Sequence, residues 1–208
     1  MNTLLDLSVS PADELAGAIE AFVANAVIAY AASGVDVASD LFPFRATSAR
    51  AAVTQPPALV NIAAALEGMP RGTLRSALEG CASRLPWTAG SLPKSKGVEN
   101  RYAFIEIAGP EGLGGSDTLR FGLYLQAPMT DYPPHDHEAE EFYYVLSGDA
   151  QWQKNDGAFE AKAPGTMIHH LPRVRHAMRT FEAPLLAMWI WTGDIDMATY
   201  RIDGAIET

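Results

Sequence analysis

The stretch "YPPHDHEAEEFYYVLSG", Tyr132 to Gly148, sets His135 and His137 and four acids, Asp136, Glu138, Glu140 and Glu141, at the start of a strand-like run. Alternate residues on a strand share a face, so both imidazoles can point into one pocket. Glu141 follows four residues after His137, and Gly148 allows a tight turn after "FYYVLS". Two imidazoles and a carboxylate leave positions open on a divalent ion, which is what catalysis by a metal requires. Glu138 and Glu140 flank these residues and are expected to face solvent.

Strands must carry such a cluster, and the second half of the chain supplies them. The segments 101–109, 119–127, 142–148, 149–153 and 184–193 are rich in aromatic and β-branched residues. Gly114-Gly115, Ser147-Gly148-Asp149, Asn155-Asp156-Gly157 and Pro164-Gly165 punctuate them. Many short strands separated this way predict a sandwich or small barrel. The first half reads as helices. Ser10-Pro11-Ala12-Asp13 forms a cap with Pro at the first helical position, opening a helix to about Ala32. Further helices are expected from Pro57 to Gly68 and from Gly72 to Leu85, where Pro86 stops the last. Residues 88–97 read as a linker. The division is a helical region at 1–95 and a β domain at 96–208.

With 208 residues, a sizeable core is available. Fifteen Lys and Arg against 25 Asp and Glu leave a net charge of −10, which argues against nucleic acid or an anionic membrane surface as partner. Cys81 is the only cysteine and excludes an intrachain disulfide; it is expected as a small buried side chain. The N-terminal ten residues lack a basic start. The apolar stretch from Ala21 to Ala32 is too short to span a bilayer and follows Asp13, Glu14 and Glu20. The expectation is a cytoplasmic protein.

The spacing His-x-His-x3-Glu-x6-Gly resembles the first motif of the cupin superfamily. The resemblance implies a mainly β fold, a single cupin jelly-roll β-barrel, here with an N-terminal α-helical extension. It also implies a later histidine, and "HHLPRVRHAMRT" offers His176. The implied ligands are His135, His137, Glu141 and His176, for one divalent transition metal: Fe, Mn, Zn, Ni or Co. Two places depart from the family pattern. Met129 stands where a Gly often precedes the first His. Leu171, Arg173 and Thr180 stand where the second motif has Pro, Gly and Asn. His169 and His170 are expected to stay off the metal.

Around the site, "YPPHDHEAEEFYYVLSG", "LPRVRHAM" and "MWIWTGDI" together resemble the cupin-type dimethylsulfoniopropionate (DMSP) lyases, the DddQ, DddL, DddK and DddW kind. That resemblance implies a carbon–sulfur lyase cleaving DMSP to dimethyl sulfide and acrylate by β-elimination. It makes Tyr143 the general base and Tyr132 a second catalytic pocket residue. Trp191, with Trp189 on the same face, becomes substrate-binding. Trp152 and Trp87 are read as packing residues. A free phenol has a pKa near ~10, and a divalent cation beside it favours the anion. An aromatic face would attract the sulfonium. The partner is a small sulfonium carboxylate, and a homodimer is compatible with the fold. Two other functions fit the same ligands: an Fe(II)-dependent cupin dioxygenase and a non-enzymatic small-molecule-binding cupin.

Overall fold

The computed structural model describes residues 10–47, 55–90 and 92–206; the residues before Ser10 and Ser91 in the linker lie outside it. Ser10 Oγ accepts from Asp13 N at 3.1 Å, and Pro11 opens α1, Pro11–Ala32. At 22 residues α1 is long and apolar enough to cross a membrane by length and composition, more than its apolar second half alone suggested. Its inner face is instead docked: Ile19, Phe22, Val23, Ala26 and Tyr30 are buried. A short α2, Ala38–Leu41, follows. The helix expected from Pro57 starts as a 3-10 turn, Pro57–Asn61, where Asn61 Nδ2 bonds the Ala58 carbonyl. It becomes α-helical only over α3, Ile62–Glu67. α4, Thr73–Glu79, stops at Gly80, before the expected Leu85, because glycine is a poor helix former.

Ten strands follow among the described residues: β1 Tyr102–Ala108, β2 Leu119–Gln126, β3 Asp131–Asp136, β4 Ala139–Ser147, β5 Gln151–Lys154, β6 Glu160–Ala161, β7 Met167–His170, β8 His176–Arg179, β9 Leu185–Gly193 and β10 Arg201–Ile202. They form two five-stranded antiparallel sheets, ordered β1-β2-β9-β4-β7 and β10-β3-β8-β5-β6. Pairs β2·β9, β3·β8, β4·β7 and β5·β6 describe one long hairpin. Rolling that hairpin up adds β4·β9 and β5·β8. This is a jelly roll, built as two facing sheets rather than one ring of strands closed edge to edge.

The first sheet is covered on both faces, which is why its strands read as continuous apolar runs. Leu119, Phe121, Leu123 and Leu125 of β2 pack with Leu186, Met188 and Ile190 of β9 against the helices. Phe22 stacks on Phe121 at 6.1 Å, and Tyr30 meets the same ring edge-on at 6.5 Å. The alternate residues, among them Tyr124, Tyr143, Val145, Ala187, Trp189 and Trp191, face the second sheet and form a separate interior cluster with Tyr132, Trp152 and Met178.

The departures from the cupin pattern have a structural answer. Met129 and Arg173 occupy glycine places, and both take a left-handed backbone, φ 51° and 61°. Arg173 holds its position through Asp136 at 2.7 Å and Glu138 at 2.8 Å. Thr180 replaces the motif Asn: its Oγ1 donates to the Ala127 carbonyl at 2.6 Å and accepts from Thr130 N at 3.1 Å. Those bonds tie the turn before β3 to the end of β8, the two strands that carry His135 and His176.

Candidate metal centre

β3 delivers His135 to the interior, and His137 follows in the turn into β4. A register shift between Tyr132 and His135 absorbs Pro133-Pro134, which cannot donate to the ladder. β4 presents Glu141 and Tyr143 on its inner face, and β8 opens with His176. All are buried.

One ligand atom from each of His137, Glu141 and His176 falls within 4.8 Å of the others. Glu141 Oε2 lies 3.2 Å from His137 Nε2 and 3.1 Å from His176 Nε2. Each ring has its other nitrogen on a main-chain carbonyl. His137 Nδ1 is 3.0 Å from Ala139 O, and His176 Nδ1 is 2.9 Å from Val174 O. A carbonyl only accepts, so a neutral ring carries its hydrogen on Nδ1 and turns a lone pair from Nε2 toward Glu141. His176 Nε2 accordingly makes no hydrogen bond while buried. Acceptors facing a carboxylate oxygen at this range fit a divalent cation, and the Nδ1 bonds fix ring orientation as ligating histidines require. Of the four expected donors three converge. His135 stands beside them, its ring centroid 4.0 Å from that of His176 and its Nδ1 3.0 Å from Pro133 O.

Burial alone would raise the Glu141 carboxyl, but the adjoining His137, and after it His176, hold it well below the usual range. Burial, with His176 next to it, pushes His135 well below its ordinary value, so the ring is neutral. The Tyr143 phenol is raised well above its usual value, by burial first and then by the Glu141 charge.

Beside this cluster lies a pocket walled by rings. Tyr132, Tyr143, Trp189 and Trp191 line it, and so do Tyr102, Phe104, Tyr124 and Tyr200, which sequence reasoning missed. Tyr132 and Tyr200 share a hydroxyl contact of 2.9 Å. Tyr124 donates to Gln126 Oε1 at 2.9 Å, and Tyr102 to Ala89 O at 3.3 Å. Trp191 Nε1 donates to Glu141 Oε1 at 2.7 Å, and its ring lies 4.1 Å from that of His137.

His170, expected to stay off the metal, is not among the three convergent donors but lies beside them. Register places it opposite Glu141, buried, with its ring stacked on His176 at 4.0 Å and neither nitrogen bonded. His169 points the other way, to Glu140 at 2.6 Å. Glu138 and Glu140 are half-exposed on the rim, away from the donors. Trp152 packs against Tyr143, and Trp87 is buried with its Nε1 on Ala82 O.

A jelly roll with histidines and a glutamate converging between its sheets defines a cupin. The fold of the DMSP lyase DddQ from Ruegeria pomeroyi superposes on it with a TM-score of 0.72 and 21% identity, covering 92% of this chain and 99% of that one. The chain belongs to the DMSP lyase family, whose profile matches residues 45–187. The DddL protein of Cereibacter sphaeroides is 37% identical over 131 residues, 62% of this chain and 53% of its own length. The curated DMSP lyase DddQ of Ruegeria pomeroyi is 33% identical over 100 residues, 48% of this chain and 49% of its own. The matched part of this chain thus spans about half the length of these curated relatives.

Proposed function

We propose that the chain is a metal-dependent carbon–sulfur lyase that eliminates dimethyl sulfide from DMSP and leaves acrylate and a proton. The observation that carries this reading is the convergence of His137, Glu141 and His176 next to Tyr143, at one end of an aromatic pocket, in a chain of this family. His137, Glu141 and His176, with His135 as fourth donor, would hold one ion of the Fe, Mn, Zn, Ni or Co group. When bound, that ion supplies Lewis acidity, drawing charge from a substrate carboxylate and from a nearby phenol.

Tyr143 is the proposed base. Four other pocket phenols, Tyr102, Tyr124, Tyr132 and Tyr200, have their hydroxyls engaged elsewhere, by Ala89, Gln126 or each other, whereas Tyr143 stands two residues along the strand from Glu141. Because its pKa is raised, it ionises near neutral pH only with a positive neighbour. It takes the proton alpha to the carboxylate. That electron pair forms the new C=C bond, and the C–S pair leaves on sulfur. Tyr132, Tyr102, Tyr124 and Trp189 offer ring faces to the sulfonium, worth about 0.5–2 kcal/mol of cation–π attraction. A helical region at residues 1–95 and a β domain from residue 96 onward are the proposed division, with the described helices packed on the first sheet, and the setting is the cytoplasm.

Headspace detection of dimethyl sulfide tests the proposal, using DMSP and protein loaded with Fe(II), Mn(II) or Zn(II), under air and under nitrogen. Metal-dependent release without oxygen is expected, with His137→Ala silent. Release that needs oxygen would point to an oxygenase, and no release with any metal would remove the substrate.

A further inference from the structure

Trp191 is placed to bind substrate by its position on the last long strand, yet its polar atom is already committed. The indole N–H can only donate, and it donates to Glu141 Oε1 at 2.7 Å between two buried side chains. The two residues are direct partners across β4 and β9. Oε2, the other oxygen of the same carboxylate, is the one facing both His137 and His176. The Trp191 ring also lies against His137, centroids 4.1 Å apart and tilted by 32°. One side chain thus touches two of the three convergent donors.

We infer that Trp191 is a positioning residue that holds Glu141 as a one-oxygen ligand and keeps a coordination position free for the substrate carboxylate. A carboxylate without that bond can rotate to offer both oxygens and fill the position itself. The indole is suited to the task because it is neutral: it fixes the carboxylate without cancelling the charge that attracts a cation. Trp189 provides the internal control. It lies on the same face of the same strand, 5.9 Å from Trp191, and no hydrogen bond links it to Glu141. This inference rests on the metal set proposed above.

The test uses Co(II), whose visible absorption is strong in four- or five-coordinate sites and weak in six-coordinate ones. Trp191→Phe keeps an aromatic ring at this position and removes the N–H together with part of the indole's volume, a loss of volume that Trp189→Phe matches. The expected result is a weakened and shifted Co(II) band, with metal affinity by chelator competition reduced about 10–100-fold, the usual effect of losing such an outer partner. Trp189→Phe should leave band and affinity unchanged. A wild-type band and affinity in Trp191→Phe, or equal changes in both variants, would overturn the inference. Wild-type protein that binds no Co(II), or binds it equally well as His176→Ala, would overturn the metal set and this inference with it. If Trp191→Phe fails to fold, the bond is read from its other end. With nitrogen-15 in the indoles, one of the four tryptophan N–H signals should move upfield in Glu141→Gln, and four unmoved signals would overturn the inference.

Discussion

Tyr143→Phe should bind metal as the wild type does and lose turnover by about 10²–10⁴-fold, the range for removing a general base. His137→Ala should lose both metal and turnover. Metal content and dimethyl sulfide release, measured on the same samples, separate the two. Retained activity in Tyr143→Phe would sink the base assignment. Cys81 gives a pH-dependent prediction away from the site. Burial pushes its thiol up to about 12, against an ordinary value of 9.0, and Arg84 only partly opposes this. The folded chain therefore keeps a proton that the unfolded chain gives up. The resulting stability is whole below about pH 9 and is lost as pH rises toward about 12. Iodoacetamide near pH ~8 should label Cys81 slowly in native protein and quickly in urea; equal rates would contradict its burial. His137 and Glu141 were legible because ligand chemistry fixes residue types at a short spacing, whereas His176 came only with the family resemblance. The place of His170 was not legible, because its position opposite Glu141 depends on pairing between strands far apart in sequence.

At the level of elements, two turns carry opposite predictions. Met129 is exposed and left-handed, a conformation that costs a side chain energy, so Met129→Gly should stabilise the fold by about 0.5–1 kcal/mol in urea unfolding. Unchanged or lowered stability would mean that the Met129 side chain repays its strain. Gly148 has φ 111°, and a Cβ there would sit 2.6 Å from the Pro184 carbonyl. Gly148→Ala should cost more than about 1 kcal/mol, and a neutral result would show that the turn yields. The long strands β1, β2, β4 and β9 were readable because burial on both faces makes them apolar throughout. β3, β7 and β8 were not on that reading. They are short, and their sequences, DYPPHD, MIHH and HAMR, are rich in histidine, proline and charge, so no apolar alternation marks them.

For the whole molecule, composition divided helices from strands near residue 95, but it did not show that they share a core. α1 is Ala-rich and apolar on most sides, so its sequence does not say which face docks. The structure seats Tyr30 against Phe121 and Tyr144, on the far side of the strand that bears Glu141 and Tyr143. Tyr30→Ala should cost about 3–5 kcal/mol, as for other large buried aromatics. Calorimetry should then show one unfolding transition at lower temperature rather than a separate helical melt. Two resolved transitions would mean that the helices and sheets are independent.

β4 meets two unrelated demands on alternate residues: Glu141, Tyr143 and Val145 face the chemistry, and Phe142, Tyr144 and Leu146 belong to the core under the helices. Its tolerance to genetic change should therefore depend on the kind of lesion. A substitution harms one face and can be partial. An in-frame loss of one codon between Ala139 and Glu141 reverses the parity of whatever lies on one side of it. It would set a carboxylate and a phenol into the greasy seam and turn Phe142 toward the donors. In a mutational library spanning this strand, missense alleles should grade from silent to dead, while single-codon deletions should be uniformly dead.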